Sequence, residues 1–183
     1  MEKIARFVKS KLCACLTFFL TNLGLLFKGL LRGRSVNLLE EVKIRSLKEQ
    51  DLETIVEIDG KVLGGKRKDY WERKLEQVNN KSTHISLVAE VEGNVVGFIL
   101  GEVSGWEFGV PDTIGWIDTI GVEPVYQKKG LATALAHELI KKLKTIGVKT
   151  IYTLVSWNDW DLLQFFHGMG FTRGDMINLE LKI

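Results

Sequence analysis

The stretch V-E-P-V-Y-Q-K-K-G-L-A-T-A-L, from Val122 to Leu135, is the most informative part of the chain. Upstream of it, Trp116 to Val122 is a β-rich run, and Pro124, which cannot donate to a ladder, marks where that strand must stop. Downstream, Leu131, Leu135, Leu139 and Leu143 recur at i+4 steps with Ala134 and Ile146 beside them, and Gly147 stands as the helix-ending residue. A strand therefore passes through the basic turn Gln127-Lys128-Lys129-Gly130 directly onto a helix. Such a turn aims several uncommitted N–H groups at one point, at the positive end of the helix dipole, which suits a phosphate or pyrophosphate. Gly130 lets an anion approach the backbone. Lys128 and Lys129 add positive charge, unless they are ordinary solvated lysines.

Working towards the amino terminus, Trp116 to Val122 is preceded by two β-rich runs, Ile85 to Val91 and Val95 to Val103, joined by the hairpin signal Glu92-Gly93-Asn94. Before these, Tyr70, Trp71, Leu75 and Val78 recur at helical spacing over Asp69 to Val78, and their aromatic face is placed beside a cleft. Leu52, Ile55, Val56 and Ile58 mark an earlier helix, with Ser46 and Glu49 at capping-box spacing ahead of it, and Val42 to Leu47 alternates as a strand. On the carboxyl side, Val148 to Val155 is β-rich, Asp161 to Met169 is helical with a stop at Gly170, and Thr172 to Leu181 suggests a hairpin turning at Gly174-Asp175. The order is strand, two helices, three strands, helix, strand, helix, and one or two strands. That is a mixed α/β domain, and its central hairpin requires antiparallel pairs in the same sheet.

The chain has 183 residues, 45% of them apolar and 26% charged, enough for one globular domain plus an appendage and too apolar for a disordered chain. Residues 1–34 hold seven Lys/Arg against Glu2 alone, whereas the remainder carries 18 basic and 22 acidic residues. A domain with net charge −4 lacks the basic excess of a nucleic-acid binder. Both cysteines, Cys13 and Cys15, lie in the basic segment, so residues 35–183 form neither a disulfide nor a thiolate metal site, and a cytoplasmic location is the simplest reading. His137-Glu138 begins like a zinc motif, but Lys141 occupies the second histidine position. Gly60-x4-Gly65-Lys66 imitates a phosphate loop, but Arg67 stands where Ser or Thr should hold Mg²⁺. No metal is expected. His84 and His167 read as structural or exposed, and Trp106, Trp157 and Trp160 as rim or core aromatics that could line an acceptor pocket.

Sixteen uncharged residues, Leu12 to Phe27, lie between Lys11 and Lys28. A membrane span wants roughly 20 apolar residues, so the run falls short unless Lys28 snorkels and Leu30 and Leu31 are counted. Residues 1–35 are read as a basic, apolar extension with three alternatives: a membrane-associating helix at the inner membrane surface, a helix packed on the domain or a partner, or an extension without structural role. The domain proper is assigned to residues 40–183.

Gln127-x-x-Gly130-x-Ala132 after a strand, preceded by Val122-x-Pro124, resembles motif A of the GNAT N-acetyltransferases, with Ala132 in place of the more usual second glycine. Asn158 after the fifth strand, Phe165-Phe166 on the next helix and Gly170-Phe171 at its end resemble the family's second motif, and the element order agrees from about Val42 to Leu181. The resemblance implies a GNAT fold, a mixed and mostly antiparallel sheet flanked by helices. It implies acetyl-CoA as co-substrate, with its pyrophosphate on the backbone of Gln127, Lys128, Lys129, Gly130, Leu131, Ala132 and Thr133. Ile120, Gly121 and Val122 would pair with the pantetheine arm, Asn158 would bond the same arm, and the sheet would splay open beside this strand. Phe166 stands where many relatives carry the Tyr that reprotonates the CoA thiolate; it can pack on the pantetheine but gives no proton, which leaves water or Tyr126 for that step.

The acceptor amine must be neutral to attack, and a lysine-like amine is only roughly 0.04% neutral near pH 7. Asp118, two residues before Ile120 and read as facing the same way, is the first choice of base, with Glu102 in reserve; their alternatives are a hydrogen-bonded strand-edge Asp and an exposed Glu. The expected function is direct acetyl transfer to a primary amine of a small molecule or protein by a monomer or homodimer. The rival readings are a non-catalytic acyl-CoA-binding or sensory module and a membrane-tethered adaptor.

Overall fold

The computed structural model describes residues 38–80, 84–103, 114–175 and 179–182. The extension expected at residues 1–35 and the aromatic Trp106 lie outside these. The elements are α1 (Leu38–Glu41), β1 (Lys43–Ser46), α2 (Leu52–Leu63), α3 (Lys68–Asn80), β2 (His84–Val91), β3 (Asn94–Val103), β4 (Ile114–Val122), α4 (Leu131–Thr145), β5 (Thr150–Thr153) and α5 (Trp160–Gly168). The five strands form one sheet in sequence order, antiparallel from β1 to β4 and parallel between β4 and β5. The β2–β3 hairpin turns through Glu92 and Gly93 with φ of 50° and 82°. Two left-handed residues in succession match the twist of the flanking strands, which is why Glu92-Gly93-Asn94 is so legible a turn.

Each face of the sheet has its own core. On one, Leu131, Leu135, Leu139 and Leu143 of α4, none more than 1% exposed, pack on Leu87, Ala89, Ile99, Ile117 and Val122, with Phe166 of α5 in the same cluster. Each such leucine contributes roughly 1.5–3 kcal/mol by leaving water. On the other face, Ile55, Val56 and Ile58 of α2 and Trp71 of α3 cover Val88, Phe98 and Leu100. The Trp71 ring meets Phe98 edge-on at 5.1 Å.

Two expectations fail locally. Ser46 does not cap the first long helix, because it is the last residue of β1 and pairs with Leu87. No side chain caps that helix; in the short turn Glu49–Asp51 ahead of it, the Asp51 carboxylate accepts the Lys48 N–H at 2.8 Å and a two-pronged bond from Arg45 at 2.7 and 2.9 Å. Arg45 also reaches Glu90 on β2, tying β1, β2 and the start of α2 together. The expected terminal hairpin is also missing from the described residues: 171–175 and 179–182 form no strand. Leu179 and Leu181 are more than 80% exposed, so their alternation with Glu180 and Lys182 has no buried face to serve.

The Arg45 hydrogen bonds hold the Asp51 carboxyl below its ordinary value of 3.8, against burial, which pushes it up. A group depressed in the folded state stabilises fully above its unfolded value and loses that contribution as pH falls through the folded one. Asp51→Asn is therefore expected to cost about 2 kcal/mol at pH 7. Denaturant titrations should show the difference from the parent shrinking below pH 4, and a constant difference down to pH 2 would contradict this account.

Candidate active site

The turn before α4 is built to leave its amides uncommitted. Lys128 and Gly130 both have positive φ, 57° and 86°, alternating with Lys129, and such alternation makes a concave nest of N–H groups. α4 begins at Leu131 with Gly130 as its cap residue, so no side chain caps its first turn, and that turn has no acidic residue. The first chain bond into the helix is Ala134 N–H to the Gly130 carbonyl, at 2.9 Å. Among the described residues, no acceptor takes the N–H of Lys128, Lys129, Gly130, Leu131, Ala132 or Thr133. These six donors lie at the positive end of a 15-residue helix, a place that favours an anion. Gly130 suits its place because its φ is left-handed, and a Cβ there would also press on the Leu39 methyl at 3.2 Å. Gln127 serves as a pin, its Nε2 donating to the Val122 carbonyl at 3.0 Å. Lys129 lies over the Tyr126 ring at 5.4 Å, and both lysines are exposed.

Beside this turn the sheet opens. β4 and β5 pair only from Ile114↔Thr150 to Ile117↔Thr153, and the Thr153 hydroxyl closes the ladder on the Ile117 carbonyl at 3.0 Å. β4 continues for five more residues without a partner on that side among the described residues. On its other side, Leu100 pairs with Thr119 and Gly101 with Ile117, so Asp118 is the extra residue of a β-bulge. The bulge falls where the parallel ladder ends, which is also where β5 itself ends, at Thr153. Glu123 N–H bonds to the Val96 carbonyl, so by antiparallel alternation Ile120 and Val122 direct their main-chain groups into the opening. With the Val122 carbonyl held by Gln127, the Ile120 N–H and C=O and the Val122 N–H remain for an extended ligand.

The bulge corrects one sequence reading. Asp118 and Ile120 do not share a face, because the extra residue shifts the alternation by one. Ile120 packs towards the α4 core, whereas Asp118 turns to α3, where its carboxylate meets Lys74 Nζ at 2.7 Å. Asp118 is exposed as a residue although its side chain is only 18% exposed, so water meets mainly its main chain. Glu102 stands on the same face, 3.0 Å from His84 Nε2. Burial alone would lower the Lys74 pKa, but its hydrogen bond to Asp118, with Tyr70 and Glu102 nearby, outweighs this and raises it. The α3 side of the opening therefore carries two carboxylates and one ammonium, with the buried His84 imidazole behind Glu102.

The remaining expected residues are scattered in role. Asn158 is exposed, on the rim of an open depression of about 550 Å³ that Asp159 and Trp160 also line. Phe166 is 4% exposed and wedged between Phe165 and Phe171 at 5.1 Å each, so its ring belongs to the core, and a packing role on a bound arm has little surface to use. Gly121 is glycine because a Cβ there would come within 2.5 Å of the Phe98 ring. His84 is not an isolated histidine, since its side chain is 4% exposed and paired with Glu102. No sequence signal marks Lys74 as a site residue: it stands three residues after Trp71, whose ring is buried in the core rather than placed beside a cleft.

The sequence profile of the Acetyltransferase (GNAT) family matches residues 52–171, and the chain belongs to that family. Among solved structures it is similar to the aminoglycoside N-acetyltransferase AAC(6')-Iy in complex with CoA, at 17% identity over 77% of this chain and 94% of that one, with a TM-score of 0.67. It is similar also to a transcriptional regulator from Bacillus halodurans C-125, at 18% identity over 78% and 99%, TM-score 0.65. The ribosomal-protein-S18-alanine N-acetyltransferase from Escherichia coli gives 22% identity over 73% and 79%, TM-score 0.59. At such identities the likeness establishes the GNAT fold. For the turn, Gly130→Glu is expected to weaken CoA binding at least tenfold in calorimetry while leaving the far-ultraviolet circular dichroism unchanged; undiminished affinity would show that the anion sits elsewhere.

Proposed function

We propose that the protein is an acetyl-CoA-dependent N-acetyltransferase that passes the acetyl group directly to a primary amine. The observation that carries this reading is the adjacency of two open sets of main-chain donors, the six amides from Lys128 to Thr133 and the unpaired side of β4 from Asp118 to Val122. A diphosphate on the first and a pantetheine arm along the second would set the thioester in the gap between β4 and β5. There the Ile120 N–H can polarise the thioester carbonyl as negative charge develops on its oxygen.

The α3 side of the gap supplies the proton chemistry. An acceptor amine arrives as an ammonium, and the Asp118 and Glu102 carboxylates both attract it and can take its proton. The neutral amine then attacks the carbonyl carbon, the C–S bond breaks, the nitrogen gives its second proton to water, and CoA leaves as a thiolate that takes a proton from water, since Phe166 has none to give. No acyl-enzyme is required. The acceptor is a small molecule or a protein amine.

Saturating acetyl-CoA, at about 100 times its Kd, should stabilise the fold by about 2.7 kcal/mol, a rise in melting temperature of roughly 5–10 °C. CoA release should then appear with an amine panel of polyamines, amino acids, aminoglycosides and peptides. Cofactor binding without thiol release for any of them would favour the sensory module. For the base, Asp118→Asn should lower kcat roughly a hundredfold below the acceptor's own pKa and converge on the parent above it. A pH–rate profile of unaltered shape would remove Asp118 from that role.

A further inference from the structure

Lys74 is a primary amine already held where an acceptor's amine would come. Its Nζ lies 2.7 Å from Asp118 Oδ2, and Asp118 is the bulge residue at which β4 leaves β5 and its open edge begins. The helix that carries it is fixed: Trp71 and Leu75, three residues before and one after, are buried at 0% and 4%. The Lys74 side chain is itself only 16% exposed. It is thus poorly placed for reagents in bulk water and well placed for one bound along β4.

We propose that Lys74 is a self-acetylation site, modified by acetyl-CoA bound on the same molecule. This inference rests on the acetyl-transfer reading above. The Nζ lone pair attacks the thioester carbonyl carbon, an N–C bond forms and the C–S bond breaks. Of the two protons lost by the ammonium, one passes to Asp118 and thence to water, and the other ends on the CoA thiolate. The products are Nε-acetyl-lysine, CoA thiol and one proton. Acetylation removes the only lysine charge seen against Asp118 among the described residues, freeing that carboxylate and leaving an acetamide in the acceptor's path. The modified protein would be an altered enzyme, with its amine seat changed.

The groups facing Lys74 set the pH dependence: Asp118 from β4, Glu102 from β3, Tyr70 from its own helix, and His84 of β2 behind Glu102. The hydrogen bond to Asp118, with Tyr70 and Glu102 nearby, outweighs burial and favours the ammonium, so self-acetylation is slow at neutral pH and rises about tenfold per pH unit until the amine's own pKa is passed.

The test needs no knowledge of the acceptor. Full-length protein is incubated with acetyl-CoA from pH 7 to 9, the modified lysines are located and timed by peptide mass spectrometry, and binding is followed in parallel by thermal shift. Lys66 and Lys68, whose side chains are each 67% exposed, serve as internal references for uncatalysed acetylation. The expected result is acetylation of Lys74 at least tenfold faster than of either reference. It should be first order and independent of protein concentration, saturable in acetyl-CoA, suppressed by excess CoA, and lost in Gly130→Glu while the references still react. Lys74→Arg should remove this modification alone. Stabilisation by acetyl-CoA with Lys74 reacting no faster than Lys68, or equally in Gly130→Glu, overturns the inference and leaves the transferase reading standing. Absence of any acetyl-CoA stabilisation overturns both.

Discussion

The structure depends on the leucine stripe of α4. Leu131, Leu135, Leu139 and Leu143 are buried on the sheet along the whole helix, so its amino end is not free to drift. That end carries six uncommitted amides. A helix held less firmly would lose those donors to water or to a shifted turn, and the cost of gathering them would fall on the ligand. Burial of apolar surface thus preorganises a polar site with no polar side chain at its centre. Gln127, bonded to the Val122 carbonyl, fixes the turn to the same strand that the ligand would follow.

The second constraint is a defect in a ladder. β4 has one residue too many opposite β3, and that residue is Asp118. The bulge lies where the β4–β5 pairing ends and turns a carboxylate towards α3, so one inserted residue stands between the open edge of β4 and the α3 face. The two sides are separated by the sheet's own plane: Ile120 faces the α4 core, while Asp118, Glu102, Lys74 and His84 face the α2–α3 layer.

Much of this was legible in the chain because its signals are local. The i+4 leucines, the Glu92-Gly93 turn and the basic glycine turn after Pro124 state their conformations over a few residues each, and the observed elements agree with them within a few positions. What could not be read is long-range. A bulge depends on the partner strand's register, so Asp118 was set on the wrong face. The Lys74–Asp118 contact joins residues 44 positions apart, and no period marks it. Ser46 is taken up by β1, and the Asp51 carboxylate closes the short turn before α2 on Lys48 and Arg45, an arrangement that spacing alone does not mark. Phe166 looked like a ligand contact from its motif position, and only the packing of Phe165 and Phe171 around it sends it to the core.

The central claim is that the amides of the turn and the open edge of β4 hold one ligand together. The most direct measurement is a ¹⁵N–¹H correlation spectrum of the full chain titrated with CoA. Shifts concentrated at the amides of Lys128 to Thr133 and at Ile120 and Val122, saturating at one equivalent, are the predicted result. Saturable binding that leaves those amides unmoved while others shift would contradict the account.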